Sequence, residues 1–175
     1  KYEDKLGNYL VKLMSEGVSL EQSKMISKSI QAISDFEKIS DYALDLAQTA
    51  YHMHTAKRKF SDMAVDELTV ISTATAEIID ITVNGFMNND VRLVKSVFPL
   101  RELITLDCNE IKKRHILRLK AGKCDQSKGY ELYDLLNDMQ RISEHCASLA
   151  LDIIKAEELD FNIHRFLHKY EEQNK

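Results

Sequence analysis

Glu37, Asp41 and Asp45 recur every fourth residue. In an α-helix each residue turns the chain by 100°, so this spacing stacks three carboxylates on one face, with Ser34 beside them. Like charges placed this way repel by roughly a few tenths of a kcal/mol per pair, and a bound cation reverses the sign. Oxygen-rich clusters suit hard cations such as magnesium, calcium, manganese or iron. The plain alternative is a solvated helix face, where acidic residues are ordinary.

The acids belong to a pattern that is written twice. Residues 35–43 read Asp-Phe-Glu-Lys-Ile-Ser-Asp-Tyr-Ala, and residues 138–146 read Asp-Met-Gln-Arg-Ile-Ser-Glu-His-Cys. The second copy follows the first by 103 residues (35 to 138), and the match runs on through Leu46-Ala47 and Leu149-Ala150. A repeat at this distance implies two related helical halves. The second copy places Asn137, Gln140, Glu144 and Ser148 on the equivalent face, so Glu144 joins the candidate metal ligands. With one carboxylate among these four, this face is expected to bind metal more weakly, or through neutral oxygens. His145 stands where the first copy has Tyr42. It could ligate a metal, and a local hydrogen bond at the apolar border is the preferred reading. Lys38 and Arg141 also match. They would contact phosphate or an acidic partner, or pair with carboxylates across helices, which is preferred.

Other chemistry is less well supported. His52 with His54, and His164 with His168, have spacings that can chelate metal. Neither pair has an acid or thiol beside it, so both read as exposed histidines. Lys57-Arg58-Lys59 reads as a basic cluster complementing a helix C-terminus, or as a patch facing an anionic membrane. The absence of a Glu-x-x-His pair argues against a ferritin-like di-iron site. There is no glycine-rich phosphate loop and no serine elbow.

Those residues need long helices to position them. The chain has 175 residues, 44% of them apolar, with five Gly and one Pro. This composition suits one helical domain with a real core. A net charge of −4 argues against a nucleic-acid surface. Cys108, Cys124 and Cys146 are odd in number and lack zinc-like spacing, and are read as reduced thiols in a cytoplasmic protein. No apolar run reaches the roughly 20 residues of a membrane span, and no signal peptide is visible. The chain opens at Lys1 without Met, which reads as a fragment of a longer protein.

A first helix is expected from about Glu3 to Ser15, ending near Gly17. Ser19-Leu20-Glu21-Gln22 reads as a capping box. It opens a helix to about Lys57, with Ile26, Ile30, Ile33, Phe36, Ile39, Ala43, Leu46 and Ala50 inward. Ser61-Asp62 starts a third helix, with Ala64, Leu68, Ile71, Thr75, Ile78 and Thr82 as its seam. Asn88-Asn89-Asp90 breaks it. A fourth helix carries Leu93, Val97, Leu100, Ile104 and Ile111 inward, and Pro99 marks its start or a kink. Gly122 ends it. A fifth helix from about Lys128 to Glu157 has the cleanest seam: Leu132, Leu135, Met139, Ile142, Cys146, Leu149 and Ile153. The expected architecture is an all-α antiparallel bundle of long helices over residues 1–158, followed by a short amphipathic tail, 159–175, with Phe161, Ile163, Phe166 and Leu167.

The doubled segments Asp35-Phe36-Glu37-Lys38-Ile39-Ser40-Asp41 and Asp138-Met139-Gln140-Arg141-Ile142-Ser143-Glu144-His145 resemble the signature of the PhoU family. Tyr2-Glu3-Asp4-Lys5-Leu6-Gly7, and Arg114 through Cys124, resemble more narrowly the cytoplasmic C-terminal PhoU-like domain of bacterial sodium/phosphate cotransporters. The resemblance implies two tandem three-helix bundles, the first truncated here. It also implies a multinuclear metal cluster (Mg, Mn, Fe or Zn) at the acidic motifs, and regulation of phosphate uptake with no enzymatic activity. Glu37 and Asp41 match the first motif directly. Glu144 matches the final acid of the second. Gln140 departs from the expected acid, and Ser40 and Ser143 replace glycine. The implied partner is a membrane-embedded phosphate transporter region in the same full-length chain, at the cytoplasmic face of the inner membrane, with self-association also plausible. The alternatives are a free-standing PhoU-type regulator, a metal-dependent helical-bundle enzyme, and an oligomerisation module with no ligand.

Overall fold

The computed structural model describes residues 2–15, 17–124 and 129–157. The expected tail, the boundary before it, and His164 and His168 lie outside the described residues. Within them the protein is all-helical: α1 (Tyr2–Ser15), α2 (Leu20–Thr55), α3 (Asp62–Asn88), α4 (Val91–Val94), α5 (Val97–Lys120) and α6 (Gly129–Glu157). None of the helices, among the described residues, is long and apolar enough to cross a membrane.

Local chemistry sets the boundaries. Gly17 and Gly122 adopt positive φ, +81° and +64°, which costs glycine no Cβ clash. Ser19 and Gln22 form the expected capping box, Gln22 N–H donating to Ser19 Oγ at 3.2 Å and Ser19 N–H to Gln22 Oε1 at 2.9 Å. Ser61 caps α3. At the other end of α3, Asn89 turns left-handed at φ 50°, and Asp90 Oδ1 then accepts from Arg92 N (2.9 Å) and Leu93 N (3.0 Å) to start α4. The expected fourth helix is thus two. Pro99 falls in the first turn of α5, where backbone N–H groups have no intrahelical partner and its missing donor costs nothing.

α6 is the central helix and packs on α2, α3, α4 and α5. All seven of its predicted seam residues are buried. Each large aliphatic side chain so covered contributes about 1.5–3 kcal/mol. α3 buries Ala64, Ile71, Thr75, Ile78 and Thr82 as expected, while Leu68 is half-buried. The Thr75 and Thr82 hydroxyls donate to the carbonyls of Ile71 (2.8 Å) and Ile78 (2.7 Å), which makes their burial inexpensive. On α4, Val94 is buried and Leu93 only half-buried, so the inward position shifts by one residue.

α2 departs most from expectation. Ala43 and Ala50 are exposed, while Ala32, Asp35, Ile39 and Met53 are buried. α2 packs chiefly on α1 and α6, and its Phe36 also meets Phe86 of α3 edge to face. A single straight stripe cannot describe it. α1 packs along α2 and has no buried residue of its own.

Candidate functional site at the crossing of the repeat helices

The two copies of the motif lie on α2 and α6, which run antiparallel. Asp35 meets His145 and Ser148, Asp45 lies within electrostatic reach of Asp138, and Arg58 pairs with Glu131. At the centre Tyr42 stacks on His145, with ring centroids 5.9 Å apart and planes inclined by 28°. Tyr42 and His145 are equivalent positions of the repeat, so the crossing has a local two-fold relation. Equivalent pairs flank it. Lys38 sits 3.6 Å from Asp41, and Arg141 sits 2.8 Å from Glu144. Both ion pairs run along their own helix (i, i+3), not across helices as expected. Exposed pairs of this kind are worth about 0–1 kcal/mol.

The two flanks of the crossing solve one geometry differently. On the first, Asp35 is 3% exposed. Its carboxylate accepts from His145 Nδ1 at 2.8 Å, from Ser148 Oγ at 2.9 Å and from Gln31 Nε2 at 3.4 Å. A carboxylate only accepts, so the proton belongs on Nδ1 of His145. Three donors replace the water that a buried charge would otherwise lose. His145 therefore bonds across helices, to the opposite copy, and not locally.

On the second flank each partner is changed. Asp138 takes the place of Asp35, Asp134 that of Gln31, Asp45 that of Ser148 and Tyr42 that of His145. Two hydrogen-bond donors have become acids. Burial, then the charges of Asp45 and Asp134, push the Asp138 carboxyl up to about 6. Tyr42, Asp134, Asn137, Asp138, Arg141 and Glu144 are among the residues that line a polar recess of about 400 Å³.

The predicted ligands are distributed around this crossing. Asp41 and Asp45 are exposed on α2, as expected of an outward ridge, and Glu37 is half-buried. Glu144 lines the recess and is held by Arg141 and, at 3.4 Å, by Gln140 Nε2. Among the described residues, no three His, Cys, Asp or Glu side chains converge closely enough to hold a metal ion. Glu37, Asp41, Asp45 and Glu144 therefore do not form one coordination centre here. His52 and His54 are exposed.

Sequence reasoning missed Asp35, Asp134 and Asp138 as partners in this site. Asp35 carried a signal: Ala32, Asp35, Ile39, Tyr42 and Leu46 form a three-four run, which places the acid in a seam. Comparison of the chain with protein-family models and with curated proteins gives no match.

Proposed function

We propose that this chain is a PhoU-like regulatory domain of a sodium-dependent phosphate transporter, with two related helical halves that meet where α2 crosses α6. It acts through conformation and not through catalysis, at the cytoplasmic face of the membrane that holds the transporter. The doubled motif carries the reading, and the paired contacts on either side of Tyr42 and His145 support it. The anionic flank is the regulated element. Asp45 and Asp134 each repel Asp138, so a proton, a cation or a basic partner segment that neutralises this flank favours a closer approach of α2 and α6 on that side. A ligand shifts such an equilibrium only by its differential affinity for the two arrangements.

The test is phosphate uptake by the full-length protein carrying Asp45→Asn with Asp138→Asn. The double substitution removes the repulsion and is expected to alter the dependence of uptake on external phosphate while protein levels stay unchanged. Uptake with an unaltered phosphate response counts against the proposal.

A further inference from the structure

A second cleft, of about 390 Å³, opens at the end of the bundle where α2 ends, α3 begins, α5 ends and α6 begins. Cys124 and His115 line it, with Lys59 and Lys123 as its cations and Ser61 at the start of α3. Among the described residues no acidic side chain lines it. Two arginines near it, among the described residues, are already paired. Arg58 binds Glu131, and Arg118 holds Glu67 behind the histidine through bonds of 3.0 and 2.8 Å. Lys59 and Lys123 are exposed.

His115 is 4% exposed, and its Nδ1 lies 3.8 Å from Cys124 Sγ. Its Nε2 has no partner and faces Gly129, where an added Cβ would come within 2.9 Å. Burial, and then the Arg118 charge, push the imidazole below its usual range, so the ring is neutral. A neutral imidazole carries one proton. A buried N–H without a partner is costlier than a bare lone pair, which places the proton on Nδ1, pointing at the sulfur. The other two cysteines contrast with this one. Cys108 and Cys146 are fully buried, and burial pushes their thiols up to about 11. Cys124 is half-buried and free.

We propose that this cleft is a thiol-modification site at which Cys124 captures small anionic disulfides. Lys59 and Lys123 hold the carboxylates of the incoming molecule, and His115 Nδ1–H faces the attacking sulfur. The Cys124 sulfur attacks one sulfur of the disulfide. The S–S bond of the reagent breaks, the Cys124 S–S bond forms, and the departing thiolate takes up the proton that Cys124 gave to solvent.

The full chain is treated with iodoacetate, with its neutral counterpart iodoacetamide, and with oxidised glutathione, and labelling of each cysteine is followed by mass spectrometry. Cys124 is expected to react at least about tenfold faster than Cys108 or Cys146. Its preference for iodoacetate over iodoacetamide is expected to fall about threefold with each of Lys59→Gln and Lys123→Gln. Both lysines are exposed, so these variants keep the fold. In the unsubstituted protein the same preference must weaken on adding salt, which screens the lysines without a mutation. Glutathione should add at Cys124 alone. Equal labelling of the three cysteines overturns the proposal, as does an iodoacetate preference indifferent to both lysines and to salt.

Discussion

Asp138 is the residue where charge and packing disagree most. Its folded carboxyl titrates near 6, because burial and the acids Asp45 and Asp134 disfavour ionisation. In the unfolded chain an Asp titrates near about 3.9. The folded state thus holds the proton more tightly, so the contribution of Asp138 to stability is greatest below about 4 and is lost as pH rises through about 6. Asp138→Asn removes that loss. The variant is expected to be more stable than the parent at pH 7.5 and little different at pH 4. Urea unfolding of both proteins at the two pH values measures this, and an equal difference at each pH would refute the assignment. Asp35, by contrast, is as deeply placed as an aliphatic residue but is met by three donors. Its place in the seam was legible from spacing, but its partners were not, because His145 and Ser148 lie more than a hundred positions away. Composition alone assigns an acid to the surface.

At the scale of the elements, most boundaries could be read directly. Ser19 with Gln22, Ser61, Asn89 and Gly122 act on neighbours within a few residues, so their effect is written locally. The α6 seam was equally legible, because one helix surrounded by others keeps one period throughout. The α2 stripe was not, since α2 meets α1, α6 and, through Phe36, α3, and one stripe cannot face them all. The break between α4 and α5 was also less clear. Val94, the last residue of α4, also approaches α3 closely: a Cβ on Gly85, in the last turns of α3, would lie 2.2 Å from Val94 Cγ1. Gly85→Ala is expected to cost about 1–3 kcal/mol through this overlap. Combining it with Val94→Ala should recover part of the loss. The cycle of two single variants and one double variant, followed by chemical unfolding, tests the coupling. Strict additivity would mean that the two residues do not meet.

The whole molecule is unevenly stabilised. α6 is covered on several sides, whereas α1 rests on α2 and leaves Tyr2, Leu6, Tyr9 and Val11 exposed. Native-state hydrogen exchange should therefore find the α1 amides opening at a small fraction of the global unfolding free energy, and the central turns of α6 opening only with global unfolding. Equal protection in the two helices would contradict this ranking. The unequal flanks of the α2–α6 crossing have a mechanical consequence. In the conformational change proposed above, the contact between Tyr42 and His145 is the pivot, and Asp138 stands seven residues from it along α6. At a rise of about 1.5 Å per residue the lever arm is about 10 Å. Under the proposed function, neutralising that flank would swing its end of α6 toward α2, while Asp35, bonded to His145 itself and to Ser148, keeps the pivot in place.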